Sequence, residues 1–206
     1  ASLGILPDGS ESFANAINDD GVIVGQSEVN QLATVSIPYF DNSNVVINDP
    51  INNSRPLRHA FRWQNSLLTD ISGSADESEA LAINSKGSIV GWMTNEVTVT
   101  TPQNLIAVDG STVTRTKPIM HAAFWSSTAS APQDVHPASS LANKDSAATD
   151  INDAGKYVGW IQVGDAGIRH AYLWDGGNSA DLHFAGVDSS EAKAINNKNQ
   201  IVGVGN

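Results

Sequence analysis

The chain has 206 residues, no cysteine and a formal net charge of −11. The lack of thiols excludes disulfide bridges, thiolate metal sites and cysteine nucleophiles, and the acidic charge disfavours nucleic acid and anionic lipid as partners. A hydrophobic content of 40% is enough for a packed core, and no apolar run reaches the 18 or more residues that predict a membrane span.

One signature occurs four times without gaps, at residues 12–25, 78–91, 146–159 and 190–203. Each copy begins with Ser-x-Ala, passes through Ile-Asn and a short turn, and ends in Val-Gly. Alternating Ala and Ile predict one strand, and the residues that lead to Val-Gly predict the next, so each copy predicts a β-hairpin. Each turn opens with an asparagine whose side chain can cap it; these are Asn18, Asn84, Asn152 and Asn196.

The last position of each turn is Gly21, Gly87, Gly155 or Asn199. Glycine and asparagine are the residues that most easily adopt a positive φ. The asparagine in the fourth copy therefore predicts a left-handed backbone at this position, rather than a glycine kept for close approach.

A second motif follows three of the four copies, with a histidine four residues before a tryptophan. The pairs are His59 and Trp63, His121 and Trp125, and His170 and Trp174. Residues four apart on a strand share a face. A short turn and an acidic residue followed by an aliphatic one come next (Asp70, Asp134 and Asp181), which predicts a second hairpin.

One full unit therefore has four short strands, and the third spacing between signatures is close to the length of a propeller blade. The two longer units carry inserts at residues 26–57 and 92–119, which have room for extra strands. We expect these inserts on one face, which is often the binding face. The sequence thus predicts a single all-β domain over residues 1–206, a β-propeller-like array of four-stranded units that is incomplete or open.

The ends of the chain both fall inside a predicted unit. Residues 1–4 have neither an initiator Met nor a signal-peptide pattern, so we expect a mature chain or a fragment. An unfinished sheet exposes a strand edge that can pair with other chains. The chain is then a fragment, or closes on its own ends, or joins neighbours head to tail; we favour the first or the last.

These motifs resemble the bacterial extracellular HAF-repeat family, which is named for its His-Ala-Phe motif. His59-Ala60-Phe61 matches that motif, and His121-Ala122-Ala123-Phe124 and His170-Ala171-Tyr172 are variants of it. The Ala-Ile-Asn…Val-Gly signature matches as well. The resemblance implies a secreted or surface-exposed bacterial protein with a propeller-like fold, and it supplies no catalytic residues.

The repeated histidines have two interpretations. Three histidines can hold zinc, but a histidine that recurs beside a Trp and an Asp in each unit is more typical of a buried hydrogen-bond network. We favour the network, with Asp70, Asp134 and Asp181 as partners, and predict no metal site there.

Calcium is the one cofactor candidate, at Asp150–Gly155, although that loop lacks the acid at its fifth position and has Ile161 at its twelfth.

Trp92 and Trp160 each follow a Val-Gly and lie outside the His–Trp motif. If these two side chains are exposed at blade ends, they can stack on sugars. The interpretation that we favour is that they pack between blades. No G-x-S-x-G, P-loop or H-E-x-x-H motif is present. We therefore predict a non-enzymatic extracellular structural or interaction module that assembles with itself through open β edges; the alternative is a propeller that binds or cleaves carbohydrate, with a surface glycan as partner.

Overall fold

The structure is a computed structural model that describes residues 3–32, 35–40, 46–51, 56–100, 114–137, 141–164 and 167–206. The described residues form strands and turns and no helix, so the all-β prediction is confirmed. The strands in chain order are β1 (Ser12–Ile17), β2 (Ile23–Leu32), β3 (Val35–Phe40), β4 (Val46–Ile51), β5 (Pro56–Gln64), β6 (Leu67–Asp70), β7 (Ser78–Ile83), β8 (Ile89–Thr100), β9 (Thr114–Trp125), β10 (Gln133–Asp134), β11 (Ser146–Ile151), β12 (Tyr157–Gln162), β13 (Arg169–Asp175), β14 (Asn178–Asp181), β15 (Ser190–Ile195) and β16 (Ile201–Gly205).

Three sheets are antiparallel four-stranded meanders, in which each strand pairs with the one that follows it in the motif. The first sheet has the order β1-β2-β5-β6, the second β7-β8-β9-β10 and the third β11-β12-β13-β14, while the fourth is the hairpin β15-β16. The first insert holds an additional hairpin, β3-β4, and the second insert prolongs β8 and β9 into one long ribbon. In each meander the tight turns lie at one end, here called the turn end, and the inserts connect strands at the opposite end.

The four signature hairpins share one β-bulge. The register shifts between Ala14 and Ala16 in β1 and at the matching place in β7, β11 and β15. The Val-Gly glycine lies opposite, and a Cβ built on Gly91 would be 1.9 Å from the carbonyl oxygen of Glu79. The same clash recurs at Gly25, Gly159 and Gly203. The glycine of the signature is therefore required because a side chain has no space there.

The turn glycines have a different role. Gly21, Gly87 and Gly155 have φ between +73° and +82°, and Asn199 has φ +60° at the same turn position. The predicted left-handed backbone is confirmed. Asparagine tolerates this region better than other residues with a Cβ, which explains the exchange.

The core lies between consecutive sheets, which pack face to face. Val24 and Ala60 of the first sheet pack with Ala80, Ile89 and Trp125 of the second. Corresponding clusters join the second sheet to the third, through Val90 and Ile151 among others, and the third to the fourth, through Val158 and Ala192. Each sheet after the first thus buries its first strand against the sheet that precedes it.

Candidate interaction surface

The four asparagines that open the turns cap them and also join the sheets. The side-chain oxygen of Asn84 accepts hydrogen bonds from the backbone N–H groups of Lys86 and Ser88, as predicted for a capping residue. Its amide nitrogen donates to the carbonyl oxygen of Asn152, 3.0 Å away in the next sheet. Asn18 donates to Asn84, and Asn152 to Asn196, in the same way.

This asparagine ladder ends at the fourth sheet. There the Asn196 amide nitrogen donates to Gln200 in its own turn. The next residues of the second and third turns form a parallel set of bonds: the Ser85 backbone N–H donates to Asp153, and the Asp153 N–H donates to Asn197. A donor on one turn therefore meets an acceptor on the following turn, and the four turns line one cavity of about 350 Å³.

The repeated histidines pair with the repeated acids. Nδ1 of His121 lies 2.8 Å from Oδ2 of Asp134, and its Nε2 lies 3.3 Å from the carbonyl oxygen of Ala142. His59 and His170 form the corresponding pairs with Asp70 and Asp181, at 2.7 and 2.8 Å. Nε2 of His59 is buried and has no described hydrogen-bond partner.

Two of the three tryptophans of the motif, Trp125 and Trp174, bind the preceding sheet. The indole nitrogen of Trp125 donates to the carbonyl oxygen of Ile71 at 2.7 Å, and that of Trp174 donates to Val135 at 2.9 Å. Each acceptor directly follows the acid of the preceding sheet. The motif residues thus tie the second hairpin of one sheet to the next, which is a structural role.

The serines that begin the signature also bridge sheets. Ser146 accepts a hydrogen bond from the backbone N–H of Ala122 at 2.7 Å, and its hydroxyl lies 2.7 Å from Nδ1 of His136. Ser190 repeats both contacts with Ala171 and His183. In the first sheet a serine, Ser72, takes the place of the second histidine and bonds Ser78.

These serine, histidine and aspartate residues do not form a catalytic triad. Asp134 binds His121, whereas Ser146 binds His136, and the two imidazoles stack with centroids 4.1 Å apart. A triad requires one imidazole to bind both the acid and the nucleophile. Ser146 is fully buried as well, so its hydroxyl serves the interface between the sheets.

Burial and hydrogen bonding shift the pKa values in this network. Burial alone would raise the pKa of Asp134, but hydrogen bonds from His121 and from the backbone N–H of His136 outweigh it and lower that pKa below its ordinary value. Asp70 has a lowered pKa for the corresponding reasons, with His59 and Ser72 as donors. Burial, and then the nearby His121, lower the pKa of His136, which keeps this ring neutral.

His136 and His183 were not singled out from the sequence. Each lies two residues after the acid of the second hairpin, and its backbone N–H donates to that acid. Ser72 occupies the same position in the first sheet. The repeated pattern of Asp, an aliphatic residue and then Ser or His carries the signal that would have identified them.

The two tryptophans considered for sugar stacking have protein partners. Trp160 is buried, and the Arg169 guanidinium lies 3.7 Å from the centroid of its ring. Trp92 is half-buried, and its indole nitrogen donates to Glu79. These contacts favour packing for Trp160 in particular.

The described residues contain no group of three or more His, Asp or Glu side chains arranged to hold a metal ion. At the calcium candidate, the Asp150 carboxylate accepts from the backbone N–H of Ile195, and Asp153 binds Ser85 and Asn197. These oxygens are engaged in contacts between sheets. The described residues also contain no helix that is long and apolar enough to cross a membrane.

The first and fourth sheets expose surfaces that their counterparts bury. Val24, Val90 and Val158 are 0% exposed against the following sheet, but Val202 at the same position of β16 is 64% exposed. On the other side, Ala80, Ala148 and Ala192 are buried against the preceding sheet, whereas Ala14 is exposed. We call the surface around Val202 and Val204 the trailing face, and the surface around Ala14 and Ile17 the leading face.

Exposed apolar side chains concentrate at these two faces. Seven large apolar side chains are exposed on or beside the first and fourth sheets: Ile5, Phe13, Ile17, Leu67, Phe184, Val202 and Val204. Within the described part of the chain, Ile168 is the one other large apolar residue that is exposed. In addition, β16 pairs only with β15 among the described strands, whereas β2, β8 and β12 each pair with a third strand. The candidate surface therefore combines an apolar face with a strand edge.

The chain matches the model of one protein family. A family model described as "Protein of unknown function (DUF3466)" matches residues 10–175, which run from just before β1 to the end of β13. No curated protein and no solved structure matches the chain.

Proposed function

The chain belongs to this family of proteins of unknown function, DUF3466, and we propose that it is a non-enzymatic extracellular structural or interaction module, a propeller-like array of four-stranded units. Its partner in this proposal is a second copy of the chain, taken up head to tail. The HAF-repeat resemblance favours a bacterial surface or secreted location. The observation that carries the proposal is the contrast in exposure between Val202 and its three buried counterparts.

The propeller-like arrangement is supported by the turn end of the molecule. The turns of all four signature hairpins line the same cavity, as expected when units are arranged around an axis. Contacts also repeat from one sheet to the next, since β7 packs on β2 and β5 as β11 packs on β8 and β9. A unit added by a second copy would find the same kind of surface that each sheet offers its neighbour.

The two faces offer complementary hydrogen-bonding groups. The trailing face offers the Asn196 amide, which in the ladder would donate to the next turn, and the leading face offers the carbonyl of Asn18 and the carboxylate of Asp19. Both faces have apolar side chains beside these polar groups. An interface between a leading and a trailing face is heterologous, and it generates rings or filaments.

The free edge of β16 gives a second contribution. Strand addition at a sheet edge uses main-chain hydrogen bonds for affinity and alternate side chains for specificity. In the three meanders this position is taken by the strand with the His–Trp motif. A strand from another copy is the occupant that the proposal predicts there.

The proposal is tested by sedimentation velocity over a range of concentrations, with two matched variants. Val202→Asp places a charge on the trailing face, and Ile168→Asp makes the same change at an exposed residue away from both faces. We expect wild type and Ile168→Asp to form larger species as concentration rises, and Val202→Asp to remain monomeric. A wild-type chain that stays monomeric throughout, or equal association of both variants, would overturn self-assembly.

A further inference from the structure

A cleft of about 400 Å³ opens at the turn end between the second and third sheets. Its walls are formed by β9 and β10 on one side and by β12, β13 and the turn Gly176-Gly177 on the other. This volume lies within the range of small-molecule sites. The assembly faces lie elsewhere, on the first and fourth sheets, so the cleft requires an explanation of its own.

The cleft exists because one turn is short. Between the first and second sheets, the loop at 126–132 packs into the corresponding place, and a Cβ on Gly73 would lie 2.5 Å from the Cβ of Ala131. Ala129 of the same loop packs on the core cluster there. In the third sheet the matching turn is Gly176-Gly177, and a Cβ on either glycine would have no atom within 4 Å. The short turn leaves the space open.

Two of the aromatic rings that line the cleft are specific to this junction. Phe124, Tyr157 and Trp174 form a column with ring centroids 5.7 and 5.6 Å apart. The positions of Phe124 and Tyr157 are occupied by Arg62 and Ile89 between the first and second sheets, and by Leu173 and Ile201 between the third and fourth. Trp174 belongs to the repeated His–Trp motif, whereas Phe124 and Tyr157 are aromatic at this junction and not at the other two.

Uncharged polar groups accompany these rings. Tyr157 is 7% exposed, and its hydroxyl, which has no hydrogen-bond partner among the described residues, can bond a ligand in the cleft that it lines. Burial raises the pKa of Tyr157 to about 12, so the hydroxyl is a neutral donor and acceptor. Gln133 and Ser179 line the same cleft with exposed side chains, while the charge of Asp134 is engaged by His121.

We propose that this cleft binds a neutral sugar ring, such as one hexopyranose unit of a glycan. The C–H face of a pyranose packs on aromatic rings, and Phe124 is the ring of the column that is partly exposed. The sugar hydroxyls need neutral donors and acceptors of the kind that Tyr157, Gln133 and Ser179 provide. A charged ligand is disfavoured because the cleft wall has no unpaired charged side chain among its described residues. The proposal does not depend on self-assembly, and it places sugar binding away from Trp92 and Trp160.

Saturation-transfer NMR with methyl glucopyranoside, methyl galactopyranoside and methyl mannopyranoside tests the site, and sodium glucuronate serves as the charged comparison. For a single ring we expect a Kd of about 1 mM, with transfer to ring protons of at least one neutral glycoside and weaker transfer to glucuronate. Tyr157→Ile, which copies the residue of the first, second and fourth signatures, should weaken binding about tenfold. Trp92→Ala should leave it unchanged.

Gln133→Ala is the second variant, because its exposed side chain can be removed without affecting the fold, and it should weaken binding severalfold. Thermal melting verifies that each variant is folded. The proposal is overturned if no neutral glycoside receives saturation at about 20 mM, or if folded Tyr157→Ile and Gln133→Ala both bind like wild type. Loss of binding in Trp92→Ala alone would also overturn it, by placing the site elsewhere.

Discussion

Replacing Ser146 with alanine should destabilise the protein far more than its small size suggests. Its hydroxyl is buried, accepts from the backbone N–H of Ala122 and bonds Nδ1 of His136, both at 2.7 Å. The variant leaves a buried N–H group without a partner, which costs about 1–3 kcal/mol, and loses a second hydrogen bond worth about 1 kcal/mol. We expect a loss of about 2–4 kcal/mol in the free energy of unfolding.

Ser12→Ala is the matched control, because it makes the same change at the first position of the first signature. Ser12 is half-buried on the leading face, and its hydroxyl donates to the carbonyl oxygen of Gly4 in an exposed contact. No buried partner is abandoned when this hydroxyl is removed. The free energy of unfolding should therefore change by no more than about 0.5 kcal/mol.

The measurement is urea-induced unfolding at pH 7, followed by circular dichroism and by tryptophan fluorescence. Coincident transitions from the two probes permit a two-state comparison, and an unchanged m-value assigns the difference to stability. If Ser146→Ala and Ser12→Ala differed by less than about 0.5 kcal/mol, the bonds between sheets at this position would contribute little to folding. The account of the signature serine as an inter-sheet bridge would then be wrong.

Three further predictions concern the same framework. The free energy of unfolding should fall between pH 7 and pH 5, because His136 has a lowered pKa when folded. Its contribution to stability is fully present above about pH 6.5 and is lost as the unfolded chain takes up the proton. Asp134, whose pKa is also lowered, adds a further loss of stability below about pH 4. Urea unfolding at several pH values checks this, and His136→Ser, which copies Ser72, should reduce the slope between pH 7 and pH 5; an unchanged slope would contradict it. Gly91→Ala should prevent folding, since its Cβ would lie 1.9 Å from the Glu79 carbonyl oxygen, whereas Gly164→Ala, with its nearest neighbours at 3.9 Å, should give soluble protein with a wild-type melting curve. Asn152→Ala should lower the free energy of unfolding by about 2 kcal/mol or more, because it removes two turn-capping bonds and a link to the fourth sheet. Asn196 is exposed, and Asn196→Ala should lower the free energy of unfolding by about half as much in the same assay.

The strands and turns could be predicted from the sequence because each depends on local signals. Alternating Ala and Ile, a capping asparagine and a residue that accepts positive φ specify a hairpin without reference to the remaining chain. Asn199 was informative for this reason, and its φ of +60° agrees with the prediction. The pairing of His59 with Asp70 was predictable because a His–Trp motif and then an acidic residue recur in the same order in three units.

Contacts between the sheets were harder to predict, since they depend on three-dimensional packing. The sequence shows that an asparagine can cap its own turn, but its bond to the next turn depends on the distance between hairpins that are 44 to 68 residues apart. The β-bulge was missed as well: alternation continues through it in the sequence, and only the register reveals the extra residue. The second function of Val-Gly, a glycine without space for a Cβ, became clear only with the bulge.

The separation of the two ends of each meander has a consequence for how such chains can vary. Every hydrogen bond of the asparagine ladder lies at the turn end, and the strands that differ most in length, β8 and β9 against β12 and β13, extend away from it. Long segments can therefore be exchanged at the opposite end while the ladder keeps its spacing. This makes the molecule a candidate scaffold for displaying foreign peptides between β12 and β13, where the natural connection is short.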